Sequence, residues 1–136
     1  MISDSRVQPA FFAFLKQNAY TLTGRNDVVK SEDVTVNRGQ GYNPATAVFT
    51  APRKGLYHIS CSIMAYSNHT VHFQLNKNDV LHIYGYANND GFTTSTTNAI
   101  VEMKKGDHVS IRHRTTKTEK IHGNHHSTFS GYFIQE

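Results

Sequence analysis

Between Gly55 and Ala65 the side chains alternate in character almost without interruption. Tyr57, Ile59, Cys61 and Ile63 are apolar, while His58, Ser60 and Ser62 between them are polar. A period of two belongs to a strand whose faces meet unlike surroundings. Pro52 and Gly55 punctuate its entry, the first because its φ is fixed, the second because it tolerates angles other residues avoid. The segment is therefore expected to be a long strand with one face in a core. His58, Ser60, Ser62 and Met64 point the other way, toward water or a second subunit.

The rest of the chain repeats this texture in shorter pieces, with no helical period and no internal repeat. Residues 9–17 place Phe11, Ala13 and Leu15 on one face and Phe12 and Phe14 on the other. Apolar character on both faces calls for burial on both, so Phe12 and Phe14 are expected at a subunit contact. Residues 18–33 read as irregular; 34–36 and 46–50 read as strands. A hairpin over 70–75 and 80–86 is closed by Asn76-Lys77-Asn78-Asp79. Residues 92–103 turn Ala99, Val101 and Met103 inward and Ile100 outward, a second candidate for subunit contact. In 109–115, Val109 and Ile111 point inward and Ser110, Arg112 and Arg114 outward. Residues 116–126 read as a basic, histidine-bearing loop before a last strand over 128–134. About ten short strands between turn signals predict an all-β chain, a sandwich or a barrel. Its 136 residues fit one domain, with 1–8 as a flexible N-terminus.

The series Asn37, Tyr42, Phe49, Gly55, Tyr57 has the spacing N-x4-aromatic-x6-F-x5-G-x-Y. It resembles the signature of the C1q globular-head family, relatives of the tumour-necrosis-factor jelly rolls. Other segments fall in the order that family requires: Ala10–Leu15, Gly41–Pro44, Leu75–Asn78, Val101–Val109 and Phe129–Phe133. The chain departs from the family at Ser31, Ile59 and Cys61, where larger aromatic residues are usual. The resemblance implies a jelly-roll sandwich, a homotrimer and secretion. Within the trimer it directs Phe12, Phe14, His58, Ser60, Ser62, Met64 and Ile100 to the subunit interface. Many relatives carry a collagen stalk, but the nine glycines here show no G-X-Y period, as in a head-only chain or an excised head. Met1–Ser5 does not resemble a signal peptide, so a leader removed beforehand is expected.

Histidine is the compositional outlier, nine residues in all, with His113, His122, His125 and His126 near the C-terminus. Neutral imidazoles bind Zn²⁺ when they converge, but a glycine-containing loop is a poor frame for that, and no metal site is expected. Calcium needs six to eight oxygen ligands. Asp79, Asp90 and Glu119 are scattered loop carboxylates, so calcium could enter only through carbonyls and is not indicated. Cys61 has no partner for an internal disulfide and reads as a small buried hydrophobe. Asn68-His69-Thr70 is an N-glycosylation tripeptide in a connecting loop.

With a formal net charge of +4, the chain favours anionic partners or merely gains solubility. Arg112, Arg114, Lys117, Lys120 and His122 form its densest basic segment, and Arg112 and Arg114 share a strand face. Guanidinium groups on one face can grip phosphate or sulfate. Tyr84 and Tyr86 offer rings on which a sugar could stack. No nucleophile elbow, phosphate loop, HExxH or carboxylate pair points to an enzyme. The aromatics fall on core positions, which argues against nucleic acid, and no apolar run reaches the ~18–20 residues of a membrane helix. The reading the resemblance implies is a soluble pattern-recognition lectin of innate immunity, binding microbial glycans such as lipopolysaccharide. Two others stand beside it: a protein ligand of the cerebellin or adiponectin type that engages a receptor, and a trimerising structural module. If His58 lines the trimer, protonation beside its symmetry mates should loosen the assembly below about pH 6.

Overall fold

The computed structural model describes residues 7–136, so the expected flexible segment 1–8 lies almost wholly outside the described residues. Two five-stranded antiparallel sheets pack face to face. In the first, β3 (Asp33–Arg38), β1 (Ala10–Phe14), β12 (Thr128–Gln135), β6 (Gly55–Met64) and β9 (Thr94–Met103) lie side by side in that order. The second runs β4 (Tyr42–Asn43), β5 (Val48–Thr50), β10 (His108–His113), β7 (Val71–Lys77) and β8 (Val80–Ala87). This is the expected all-β sandwich, and β1 pairing with β12 ties the two ends of the chain together.

The alternation in β6 is realised as read. Tyr57, Ile59, Cys61 and Ile63 are buried, and His58, Ser60, Ser62 and Met64 are half-buried on the opposite face. The spaced signature proves to be one connected structure. The Asn37 side chain donates to the Tyr42 carbonyl (2.8 Å) and accepts from the Tyr42 amide (3.0 Å), which closes the loop between them. The Tyr42 ring stacks on Phe11 at 5.0 Å and Phe49 stacks on Phe11 at 4.5 Å. Phe49 meets Tyr57 edge-on at 5.7 Å, and Tyr57 meets Phe133 at 5.5 Å. Gly55 is required because a β-carbon there would sit 2.3 Å from the Phe133 ring. These residues form an aromatic spine through the core, where each ring pair adds ~0.5–1.5 kcal/mol beyond simple burial. Ser31, where an aromatic was expected, is buried, and its carbonyl accepts the Tyr42 hydroxyl.

Four expectations are corrected. Twelve strands are present among the described residues, not about ten. The segments read as irregular (18–33) and as loop (116–126) contribute β2 (Ala19–Leu22) and β11 (Glu119–His122), which pair as a separate two-stranded sheet. The alternation of β11 was masked because its inward residues are Glu119 and Ile121, one of them charged. Ser110, expected outside, is buried, and its hydroxyl accepts a hydrogen bond from Arg112 Nε at 2.9 Å. The hairpin turn is tighter than the four residues assigned to it. Asn78 and Asp79 alone turn the chain, with φ of 51° and 65°, the left-handed pair that suits the twist of a two-residue hairpin.

Candidate functional site

On the outer surface of the second sheet, β10, β7 and β8 lie in register so that Arg112 stands opposite Gln74 and Gln74 opposite Tyr84. One row further along, His72 stands opposite Tyr86, and the Arg114 amide donates to the His72 carbonyl at 3.0 Å. The two rows put two guanidinium groups, an imidazole and two tyrosines on one surface. Tyr84 and Tyr86 are 54% and 49% exposed. The Arg114 guanidinium lies over Tyr84 at 4.3 Å, an arrangement that fixes the cation without neutralising it. Its Nε is buried and has no hydrogen-bond partner among the described residues. Arg112 is held more firmly, by Ser110, by the Asn26 carbonyl at 3.2 Å and by Asp79 at 3.5 Å.

Beneath this surface is a cluster that sequence reasoning missed. Glu119 is 1% exposed and accepts four hydrogen bonds: from the His72 amide (2.8 Å), His72 Nδ1 (2.7 Å), the Thr70 hydroxyl (2.8 Å) and His113 Nε2 (2.8 Å). Burial alone would raise the Glu119 carboxyl, but hydrogen bonds from the His72 amide, the His72 ring, Thr70 and His113 outweigh it and hold the group below the ordinary glutamate range. His113 is wholly buried, with Nδ1 donating to the Gly24 carbonyl at 2.9 Å. Its two ring nitrogens thus reach the Gly24 carbonyl on one side and the Glu119 carboxylate on the other. Glu119 is therefore neither a loop residue nor a calcium ligand. One signal was available: His113 has the same parity as buried Val109 and Ile111, so extending that alternation would have put it in the core.

The predicted basic set divides. Arg112 and Arg114 join Tyr84 and Tyr86 on the sheet face. Lys117 is exposed in the turn before β11, and Lys120 and His122 lie on β11, beyond the end of β6. The four C-terminal histidines do not converge. His113 is buried with Glu119, His125 packs on Phe14 at 4.3 Å, and His122 stacks on His126 at 4.2 Å. Among the described residues no three His, Cys, Asp or Glu side chains gather as a metal site. A surface recess of about 560 Å³ is lined by Val7, Pro9, Arg53, Lys54 and Lys105, none of them a candidate residue.

The first sheet presents a different surface. Tyr132, His58 and Ile100 are consecutive neighbours across β12, β6 and β9, and Val36, Phe12, Ser130 and Ser60 form the adjoining row. Phe12, Val36, Ile100, Tyr132 and Ile134 are all exposed there. The contact residues expected from sequence (Phe12, Phe14, His58, Ser60, Ser62, Met64 and Ile100) all lie on this sheet. Val36, Tyr132 and Ile134 were not anticipated.

Comparison with known proteins gives this frame a context. A family model described as the C1q domain matches residues 10–134. Complement C1q tumor necrosis factor-related protein 3 of Mus musculus is 29% identical over 129 residues, 91% of this chain and 51% of the relative. Heavy metal-binding protein HIP of Mytilus edulis is 26% identical over 114 residues, 82% of this chain and 54% of that protein. The chain thus spans about half the length of the curated relatives it matches. Among solved structures, the globular domain of zebrafish complement 1qA aligns with a TM-score of 0.72 at 16% identity, covering 94% of this chain and 98% of that one. The Eiger TNF of S. frugiperda aligns at 0.74 and 10% identity, covering 96% and 95%. With the aromatic spine, the two-sheet frame and the family model all in agreement, the chain belongs to the C1q domain family.

Proposed function

We propose that this domain is a secreted, trimeric recognition module that holds anionic microbial glycans, lipopolysaccharide among them, on the outer face of its second sheet. C1q and TNF-like domains are binding modules that typically trimerise, and the exposed apolar surface of the first sheet supplies a face for that assembly. The observation that carries the ligand reading is the paired rows Arg112–Gln74–Tyr84 and Arg114–His72–Tyr86. Guanidinium groups grip phosphate or sulfate esters in bidentate fashion, while tyrosine rings accept the apolar face of a sugar. Each contact is weak at a solvated surface, and three copies on one trimer convert weak contacts into avidity. Lys117, Lys120 and His122 stand apart from these rows and would serve only a ligand long enough to pass beyond β11.

The test is binding of the purified protein to immobilised lipopolysaccharide and to mannan, at low and high salt, with and without chelator. The expected outcome is chelator-resistant binding to lipopolysaccharide that weakens steeply with salt and is lost in the double variant Arg112→Ala, Arg114→Ala. Binding abolished by chelator would replace this reading with a metal-dependent one, in keeping with the name of the Mytilus relative. Absence of binding under all conditions would overturn the glycan reading and favour a protein receptor.

A further inference from the structure

The turn between β6 and β7 carries Asn68-His69-Thr70, and neither sheet face makes use of it. The turn is closed by the His69 amide donating to the Tyr66 carbonyl at 2.9 Å, and Asn68 stands at its crest with φ of 60°. Asparagine tolerates that left-handed angle, which accounts for its presence as a turn residue. Its main chain is fixed, because the Asn68 amide donates to the Gly91 carbonyl at 3.0 Å. The side-chain amide is exposed and has no hydrogen-bond partner among the described residues.

A second observation sits beside it. Phe92 follows Gly91 and is 49% exposed. Its ring packs against Tyr66 (5.7 Å) and His122 (4.9 Å) and is otherwise half-exposed. A bare phenyl ring at the end of the sandwich belongs neither to the core nor to the apolar surface of the first sheet. The C–H face of a sugar is the kind of group that covers such a ring.

We propose that Asn68 is an N-linked glycosylation site whose first N-acetylglucosamine rests on Phe92. The donor class is an oligosaccharide linked to a polyprenyl pyrophosphate, delivered by the transferase of the secretory pathway. Asn68 Nδ2 bonds to the anomeric carbon, the bond from that carbon to the pyrophosphate oxygen breaks, and the lipid pyrophosphate leaves. The proton lost from Nδ2 passes to the transferase or solvent. In the folded protein the Thr70 hydroxyl is already committed to Glu119. Transfer must therefore precede closure of that hydrogen bond, on the nascent chain. A glycan at this crest leaves both sheet surfaces open. The proposal rests on the secretory half of the function proposed above and is independent of its ligand.

The experiment directs the full chain through the secretory pathway of mammalian cells behind an added leader and a tag bearing a known sequon. Wild type should carry a glycan at position 68, read by mass spectrometry of the peptide after enzymatic deglycosylation. Asn68→Gln, which breaks no hydrogen bond of its side chain, should lack it. An unmodified Asn68 in secreted protein whose tag sequon is occupied would overturn the site. The glycan should also raise the melting temperature of wild type more than that of Phe92→Ala, and an equal gain in both would overturn the ring contact. Lipopolysaccharide binding of the same material is read separately: a glycosylated protein that fails to bind would refute the ligand reading and leave the site standing.

Discussion

Replacing Glu119 with Gln tests whether the buried cluster under the candidate surface is an ion pair. The side chain changes little in volume, so the effect is electrostatic. Each oxygen of Glu119 accepts two hydrogen bonds, Oε1 from the His72 amide and His113, Oε2 from Thr70 and His72 Nδ1. A glutamine can keep one of these oxygens and must aim an NH₂ group at the two donors on the other side. His113, wholly buried with its second nitrogen on Gly24, is left facing a neutral amide in place of the carboxylate. Removing one member of a buried ion pair costs about 3–5 kcal/mol, set against a total of ~5–15 kcal/mol for a domain. At roughly 3–5 °C per kcal/mol for a chain of this size, the melting temperature should fall by about 10–20 °C at pH 7. The sign of the pH dependence follows from the lowered Glu119 carboxyl. A depressed folded-state value stabilises fully above the unfolded glutamate value of about 4.3 and loses that contribution as pH falls through the folded value. The gap between wild type and variant, read by calorimetry, should therefore be widest at neutral pH and close in acid. A variant melting within about 3 °C of wild type at pH 7 would refute the ion pair.

Three further outcomes are expected. Phe12→Glu with Ile100→Glu puts charge on the exposed apolar surface of the first sheet, and sedimentation should show a 15.3 kDa protomer in place of a trimer; a wild type already monomeric would remove the assembly argument. Cys61 is buried and burial pushes its thiol up, so it should resist Ellman's reagent in the native state and react at the rate of unfolding. Immediate labelling would contradict the core phase of β6. Gly85→Ala places a β-carbon 2.2 Å from the Phe73 ring and should cost about 1–3 kcal/mol in urea unfolding, where an unchanged midpoint would show that the ring has room to move.

The outcome at β6 shows why so much of the fold was legible. Its period of two is a local property of the chain, and burial of one face forces the register of β9 and β12 on either side. The spaced signature was legible for a related reason, since each of its residues has a fixed partner: Asn37 with Tyr42, Gly55 with Phe133, Phe49 with Phe11. What stayed hidden was β2 and β11. A strand that turns Glu119 inward does not alternate apolar with polar, and only the arrival of His72 and Thr70 from β7 and the turn before it, beside His113 on β10, makes that inward carboxylate tolerable.

The frame binds one face of each sheet tightly and leaves the other free to vary. The inward parity of both sheets is committed to the aromatic spine, and a change there alters packing across several strands at once. The outward parity is not so bound. On the first sheet it carries Phe12, Ile100 and Tyr132, and on the second Arg112, Arg114, Tyr84 and Tyr86. One surface is apolar and suited to a copy of itself; the other combines cations with rings and suits a partner bearing negative charge. His72 joins the two parities, because its ring faces outward beside Tyr86 at 4.8 Å while its Nδ1 reaches the buried Glu119. A ligand pressed against Tyr86 would therefore bear on a side chain anchored in the core. If the proposed ligand reading holds, the Glu119 cluster anchors His72 beneath the candidate surface, and Glu119→Gln should weaken lipopolysaccharide binding even at temperatures where the variant remains folded. Full binding by the folded variant would show that the surface arginines and tyrosines are positioned by β10 and β8 alone.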